Sequence, residues 1–280
     1  LDHLCRSGGS AGSAAVCLVR LTVAMGRYLI LGVVQGLTEF LPVSSSAHLV
    51  FGKALLGLNP PGTILEGVLH LGTLLAVILC FRREIAELVV GVTKGEAKSL
   101  RYLFFLLLGT APVVLVGLLF REEIERAFSA TRMAGGLLLV TGALLLSAER
   151  VRKREVERAL DLWTALGVGI AQAAALLPGI SRSGATISVG ILLGLNVREA
   201  VRFSFLLAIP AIGGAGLFSV LCRSHGTGIV NAQGLIVGGM AAFLSGVAAI
   251  KTLLVFLSRG RLFPFAFYCF LVGLLALILA

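Results

Sequence analysis

Charged residues are scarce in this chain. Only 14% of its 280 residues are Asp, Glu, Lys or Arg, against roughly 25% in soluble domains. Apolar residues make up 58% of the sequence, and the mean hydropathy is +1.01. Several apolar runs approach the ~20 residues that cross a bilayer as a helix. These features exclude an ordinary soluble domain and predict an all-α polytopic membrane protein.

Paired cysteines and an excess of acidic residues are also lacking. The five cysteines lack the spacing of a zinc site or a disulfide framework. Lys and Arg number 24 against 14 Asp and Glu, for a net charge of +10. Because the basic residues lie between apolar runs, we assign them to cytoplasmic loops and expect no nucleic-acid partner.

The amino-terminal segment differs from the rest of the chain. Residues 8–14 are linker-like, and Arg20 interrupts the only run that resembles a signal peptide. We therefore expect residues 1–24 to be a non-native or disordered extension, and residues 25–280 to be a single membrane domain.

A polar break at residues 35–48 interrupts the apolar pattern. Pro42 ends any helix that runs in from Gly26, and the serines after it can cap a new helix. Irregular backbone at membrane depth is tolerated only where it is buried in protein or lines a cavity. The break therefore predicts a functional site, with the polar candidates Gln35, Glu39, Ser44, Ser45, Ser46 and His48.

A second break follows the apolar run 162–177. Pro178 and Gly179 end that run, and a short apolar run continues to Leu195. The polar residues in this break are Ser181, Arg182, Ser183 and Thr186. Each break therefore predicts a re-entrant helical hairpin. Six full membrane spans are predicted besides the hairpins, at 63–81, 102–120, 133–148, 203–221, 229–257 and 262–280.

Loop charge predicts the orientation of these six spans. The loops at 82–101, 149–161, 196–202 and 258–261 carry 14 Lys and Arg, and the loops on the other side carry 5. The first side should be cytoplasmic, so the two hairpins enter from opposite faces. Gln35 precedes Ser44 by nine residues, as Gln172 precedes Ser181. We expect an inverted-topology repeat, 26–148 and 159–280, with the site at the repeat interface.

The residue types in the two breaks predict an anion site. Two half-helix amino termini and the Arg182 guanidinium are suited to a phosphate group. Glu39 needs a compensating partner, which is Arg182, a proton or a divalent cation. Gln35 lies one turn earlier on the same face, where its carbonyl binds the metal, its amide bonds the ligand, or its side chain serves only in helix packing. Glu39 and Gln35 are therefore the candidate ligands of Mg²⁺ or Ca²⁺.

His48 follows Ser45 by three residues, which predicts a hydroxyl nucleophile beside a base. The same imidazole could instead activate a water molecule, and helix capping alone is an alternative role for the serines. His70 and Glu66 are expected to form an interhelical pair or to support the site. Thr186 is expected to bond either phosphate or its own helix backbone.

Broken helices and inverted repeats also occur in transporters. A lipid-phosphate flippase or a secondary transporter is therefore the alternative function, and a gated ion channel is a weaker third.

The two breaks resemble the signature motifs of the bacterial undecaprenyl-diphosphate phosphatase family, which is associated with bacitracin resistance. That family has a Glu/Gln-x-x-x-Glu pattern, seen here from Gln35 to Glu39, and a Pro-Gly-x-Ser-Arg-Ser-x-x-Thr pattern, seen here from Pro178 to Thr186. The similarity covers about residues 25–280. It implies a divalent-cation-dependent hydrolase of undecaprenyl diphosphate in the bacterial inner membrane, with its site open to the periplasm.

The resemblance also implies roles for individual residues. The catalytic residues are Glu39, Ser45, His48 and Arg182. The substrate-binding residues are Ser44, Ser46, Ser181, Ser183 and Thr186. The expected partners are a polyprenyl diphosphate lipid, the bilayer and, as an open alternative to a monomer, a second copy of the chain.

Overall fold

The computed structural model describes residues 11–56, 64–128, 130–151, 158–222 and 232–279. Over these ranges all the regular secondary structure is α-helical, in twelve helices: α1 (Ala11–Phe40), α2 (Ser45–Leu56), α3 (Ile64–Cys80), α4 (Arg82–Thr93), α5 (Ala97–Leu119), α6 (Arg121–Ala127), α7 (Thr131–Val151), α8 (Leu162–Ala174), α9 (Arg182–Leu192), α10 (Val197–Cys222), α11 (Ala232–Ser258) and α12 (Phe263–Leu279).

Several of these helices are long and apolar enough to cross a membrane. Four qualify alone: α5, α7, α11 and residues Val197–Leu217 of α10. Helices α3 and α4 qualify together as a fifth, although the chain bends by 74° between them. Helices α8 and α12 are apolar but shorter. The expected all-α, multi-pass membrane protein is therefore confirmed for the described part of the chain.

Both predicted breaks occur close to their expected positions. Helix α1 ends at Phe40 and α2 begins at Ser45, so the interruption surrounds Pro42. Helix α8 ends at Ala174 and α9 begins at Arg182. Helix α1 begins at Ala11 rather than near Gly26, so residues 11–24 of the expected extension continue this helix, whereas residues 1–10 lie outside the described ranges.

Two connections predicted only as polar loops contain helices. The connection at 82–101 contains α4 and the start of α5, and the loop at 121–132 contains α6. Helix α4 turns Ile85, Leu88 and Gly91 toward the protein and leaves Arg83 and Glu87 exposed. This 3.6-residue period is that of an amphipathic surface helix. The charged residues on its exposed face make the segment resemble a polar loop in the sequence.

The helices pack through small residues. Helix α11 lies along α1 and α3, α12 along α7, and α8 against α5 and α9. A Cβ atom added to Gly169 would lie 2.6 Å from the Gly109 carbonyl oxygen, and one on Gly32 would collide with the Gly238 backbone and lie 2.8 Å from Ala241 Cβ. Such close backbone approach is typical of membrane helix interfaces.

One apolar core supports both breaks. The Phe205 ring stacks on Phe81 at a centroid distance of 4.9 Å and lies 5.7 Å from the Phe40 ring. Phe40 is the last residue of α1, and Ile187 of α9 belongs to the same buried cluster. The two half-helices that carry the polar motifs are therefore held against a common apolar layer.

A substitution at Gly179 tests how strongly neighbouring atoms constrain the backbone of the second break. Its φ is +107°, a Cβ atom there would lie 2.8 Å from Leu137 Cβ, and the Ala134 carbonyl oxygen is closer still. We expect Gly179→Ala to add this collision to the ~1–2 kcal/mol cost of left-handed backbone. Gly95→Ala is the matched control, since its φ is +71° with no atom within 4 Å.

The measurement is the Tm of each variant in one detergent. The Gly179 variant should lose at least twice as many degrees as the Gly95 variant. Equal losses would mean that the contact with α7 does not constrain the break.

Candidate active site

Glu39 is the central residue of the site. It lies in the last turn of α1 with 7% of its surface exposed. Its Oε1 atom accepts a hydrogen bond from Arg182 Nη2 in a close ion pair. Its Oε2 atom accepts from Gln35 Nε2 at 2.9 Å and from Ser45 Oγ at 2.6 Å. One carboxylate therefore joins α1, α2 and α9, and it brings four of the predicted site residues together.

Gln35 is fully buried one turn before Glu39. Its amide nitrogen donates to Glu39, but its Oε1 atom has no hydrogen-bond partner among the described residues. Buried amide oxygens are nearly always bonded. The Gln35 oxygen beside the Glu39 carboxylate can therefore accept one further bond, and the metal and substrate roles of Gln35 stay predictions.

Ser44 shapes the backbone of the first break. Its φ is +66°, a left-handed value that is uncommon for a non-glycine residue. This conformation turns the Ser44 carbonyl toward His48, whose backbone N–H lies 3.3 Å away and whose Nδ1 lies 2.8 Å away. The Ser44 and Ser46 hydroxyls are 3.1 Å apart. Strained backbone of this kind is concentrated at functional sites.

His48 does not contact Ser45 in the way that its spacing predicts. Its Nδ1 atom is bonded to the Ser44 carbonyl, and its Nε2 atom lies 2.7 Å from the Tyr268 hydroxyl. The Ser45 hydroxyl is bonded to Glu39 instead. The nucleophile–base pair expected from the sequence is therefore not formed in this structure, although both residues lie at the same break.

The second break is fixed by a residue that the motifs do not contain. Thr141 of α7 donates its hydroxyl hydrogen to the Gly179 carbonyl at 3.0 Å and accepts from the Ser181 N–H at 3.0 Å. Ser181 caps α9 by accepting from the Gly184 N–H at 3.1 Å. Arg182 is the first residue of α9, so these bonds aim its side chain at Glu39.

Ser183 and Thr186 differ in position. The Ser183 hydroxyl lies 3.3 Å from the Ser181 hydroxyl and 3.4 Å from the Leu41 carbonyl, so it faces the first break. Thr186 is buried and donates to the Arg182 carbonyl at 2.7 Å, while the Ser204 hydroxyl lies 2.6 Å away. The bond predicted from Thr186 to its own helix backbone is therefore formed, and the bond to phosphate stays a prediction.

Comparison with known families agrees with this geometry. The family described as Bacitracin resistance protein BacA matches residues 28–275. The chain belongs to this BacA family. The resemblance expected from the two motifs is confirmed, and the matched region contains every predicted site residue.

Named relatives support the same assignment for this BacA family member. An undecaprenyl-diphosphatase of Korarchaeum cryptofilum is 43% identical over 260 residues, which cover 89% of this chain and 97% of the relative. One of Halothermothrix orenii is 41% identical over 256 residues, with 91% and 97% covered. One of Syntrophotalea carbinolica is 42% identical over 252 residues, with 88% and 95% covered.

His70 and Glu66 lie near the BacA site on α3. The His70 Nδ1 atom donates to the Glu66 backbone carbonyl at 2.7 Å. The imidazole also interacts electrostatically with Glu39. The two roles expected for His70, an interhelical pair and support of the site, both stay predictions.

Positive potential converges on Glu39 in this BacA fold. Ser45 and Arg182 are the first residues of α2 and α9, and both contact the Glu39 carboxylate. The amino termini of two helices and a guanidinium therefore meet at one point, where unpaired backbone N–H groups attract anions. The arrangement is suited to a phosphate group that enters beside an ion pair.

Proposed function

We propose that this chain is an integral membrane phosphatase that hydrolyses undecaprenyl diphosphate to undecaprenyl phosphate and inorganic phosphate. The observation that carries the proposal is the convergence of Arg182 and two helix amino termini on Glu39. Membership of a family whose relatives are named undecaprenyl-diphosphatases supports the choice of substrate. The product is the lipid carrier that peptidoglycan synthesis reuses.

Arg182 binds the diphosphate in this proposal. A guanidinium has five N–H donors, and the bond to Glu39 uses only one nitrogen of the fork. The remaining donors suit phosphate oxygens in a bidentate contact. The hydroxyls of Ser44, Ser46, Ser181 and Ser183 lie at the two breaks and supply further bonds to the phosphate oxygens.

A divalent cation fits the same residues. The described residues contain no group of three or more His, Cys, Asp or Glu side chains placed to hold a metal, but Mg²⁺ typically uses one or two protein oxygens together with substrate phosphates. The unpaired Gln35 Oε1 and the Glu39 carboxylate are such oxygens. When bound there, Mg²⁺ or Ca²⁺ would neutralise phosphate charge and act as a Lewis acid.

Ser45 is the nucleophile that the geometry favours. Its hydroxyl donates to Glu39 at 2.6 Å, so the Ser45 nucleophile lies within hydrogen-bond distance of a base. In the first step a bond forms between Ser45 Oγ and the terminal phosphorus, while the bond from that phosphorus to the bridging oxygen breaks. Glu39 takes the hydroxyl proton, and Arg182 offsets the charge on the departing lipid monophosphate.

His48 acts in the second step. Its Nε2 atom takes a proton from a water molecule, whose oxygen attacks the phosphoserine phosphorus. The bond from phosphorus to Ser45 breaks, Ser45 regains its proton from Glu39, and inorganic phosphate leaves. His48 then releases the proton taken from water to solvent, which restores the neutral imidazole. Direct attack on the substrate by a water that His48 activates is the alternative route.

Six spans and two re-entrant hairpins in an inverted repeat are the architecture that we propose. In support, α1 packs along α11 as the equivalent helix α8 packs along α5. Equivalent helices of the two repeats also pack on each other, α7 on α12 and α3 on α10. The excess of Lys and Arg in one set of loops supports a cytoplasmic position for those loops, and the family resemblance is the ground on which we propose a site that opens to the periplasm.

Phosphate release in detergent tests the function. Purified protein with no bilayer to cross should release phosphate from a long-chain prenyl diphosphate. A chelator should lower the rate by at least ~10-fold, and added Mg²⁺ or Ca²⁺ should restore it. Unchanged release in chelator would remove the cation from the proposal and leave hydrolysis standing.

The same assay separates an enzyme from a transporter. An absence of release in detergent, together with movement of the lipid across vesicles, would reassign the site to a flippase. A broken-helix fold by itself is compatible with either class.

A further inference from the structure

We propose that Tyr268 is a positioning residue for His48 and that its hydroxyl selects the tautomer in which Nε2 carries the lone pair. The inference rests on the proposed function, since it assigns Nε2 as the atom that accepts a proton. Neither sequence motif contains Tyr268, which lies in the apolar helix α12.

The hydrogen-bond partners of the imidazole allow one assignment for the neutral ring. A backbone carbonyl can only accept, so Nδ1, at 2.8 Å from the Ser44 carbonyl, must carry the hydrogen. Nε2 then carries the lone pair and accepts from the Tyr268 hydroxyl at 2.7 Å. Two protein groups, one at each nitrogen, therefore specify the same tautomer.

Ring packing holds the imidazole in this orientation. The Tyr268 ring stacks on His48 with a centroid distance of 5.7 Å and an interplanar angle of 13°. Phe51 contacts His48 edge-on, with a centroid distance of 6.5 Å and an angle of 65°. Rotation of the imidazole would break the stacking as well as both hydrogen bonds.

Helix α12 cannot slide along the first break without losing other contacts. The Cys269 thiol lies 3.3 Å from the Pro42 carbonyl. The Glu149 carboxylate accepts from the backbone N–H groups of Leu262 and Phe263 at the start of the helix. These contacts set the register of α12, so the phenol is placed by the fold.

The His48–Tyr268 bond lies at the open edge of the site. Tyr268 is 38% exposed, and its neighbour Phe267 is 59% exposed on the apolar face of α12. The bond between Gln35 and Glu39, in contrast, is buried. A water molecule or a phosphate oxygen at the exposed edge can replace the Tyr268 hydroxyl at Nε2. The tautomer with a lone pair on Nε2 is therefore already present before Nε2 accepts a proton.

A double-mutant cycle tests the coupling. Tyr268→Phe keeps the stacking ring and removes only the hydroxyl. We expect kcat to fall by ~5- to 30-fold, the effect of one hydrogen bond, with KM changed by less than ~2-fold. In a His48→Gln background the same change should alter kcat by less than ~2-fold. An equal fall in both backgrounds would refute a role that acts through His48.

A matched control removes another phenol from a half-buried tyrosine. Tyr102 lies in α5 and stacks edge-on with Phe203, away from His48. Tyr102→Phe should leave kcat unchanged. A comparable fall there would attribute the Tyr268 effect to general loss of packing.

Imidazole ¹⁵N spectra test the tautomer without any measurement of activity. The wild-type spectrum, with the His48 signals identified by their loss in His48→Gln, should show a protonated Nδ1 and an unprotonated Nε2. Tyr268→Phe should add the opposite tautomer. An unchanged spectrum in this variant would overturn the proposal, whereas failure to hydrolyse prenyl diphosphates would leave this result interpretable and affect only the proposed function.

Discussion

Replacement of Arg182 by alanine is expected to lower kcat/KM for prenyl diphosphate hydrolysis by at least ~10³-fold, the scale of an arginine that stabilises phosphoryl transfer. The guanidinium is the only described side-chain cation bonded to Glu39. It enters the site from the first residue of α9, so it adds to the positive end of that helix. Its removal takes away both the forked donor and the permanent charge.

The loss of Arg182 also leaves Glu39 as an unpaired buried charge. Removal of one partner from a buried ion pair typically destabilises a protein by ~3–5 kcal/mol. The double variant Arg182→Ala with Glu39→Gln removes that charge and should recover most of the lost Tm while remaining inactive. Phosphate release and Tm, measured on the same preparations, separate the catalytic effect from the structural one.

Two further variants calibrate the Arg182 result. Arg182→Lys keeps the charge without the fork and should lose activity to a smaller extent than alanine. Arg126→Ala breaks the surface ion pair between Arg126, whose side chain is 77% exposed, and Glu122, whose side chain is 79% exposed. Such exposed pairs contribute little to stability. A loss below tenfold in folded Arg182→Ala would exclude the proposed role.

The positions of the breaks were predictable because their causes are local. Pro42 removes a backbone donor and ends the helix before it, and the structure interrupts the helix at 41–44. The second interruption lies at 175–181 and contains Pro178 and Gly179, although the helix before it ends three residues earlier than the apolar run; Gly179 adopts a left-handed conformation. The two breaks were expected to meet because an unpaired charge inside a membrane is energetically costly. Glu39 and Arg182 in an apolar chain therefore each require a partner.

The partner of Ser45 was not predictable from spacing. Residues three apart share a helical face, and both Ser45 and His48 lie in α2. The Ser45 hydroxyl is nevertheless bonded to Glu39 of α1, and the His48 ring is bonded to the Ser44 carbonyl and the Tyr268 hydroxyl. Spacing along one helix does not reveal such competing partners.

Thr141 and Tyr268 were missed for a different reason. Each lies in an apolar helix and contacts a break far away in the chain, as the pairing of His48 with Tyr268 across 220 residues illustrates. Hydrophobic periodicity predicts which face is buried but not which helix it meets. The only indication in the sequence was that each residue places a single hydroxyl in an apolar span. That observation does not identify the residue to which the hydroxyl bonds.

Ser45→Ala is expected to lower kcat by at least ~10³-fold, as removal of a serine nucleophile does in other hydrolases. The change deletes one oxygen and leaves Arg182, Gln35 and Glu39 in place. Binding should persist, so KM should change by less than the rate. Ser147→Ala is the control, since that hydroxyl is exposed on α7 and bonds only the Ala143 carbonyl among its described contacts.

Acid quenching of the wild-type reaction should trap a phosphoserine at Ser45, because in the proposed mechanism the bond between Oγ and phosphorus forms before water attacks. Substitution of His48 should raise the trapped fraction, since the same mechanism assigns His48 to activate the water of the second step. Full activity in Ser45→Ala would transfer the first step to water. The imidazole held by Ser44 and Tyr268 would then be its base, because Nε2 is the ring nitrogen that carries the lone pair.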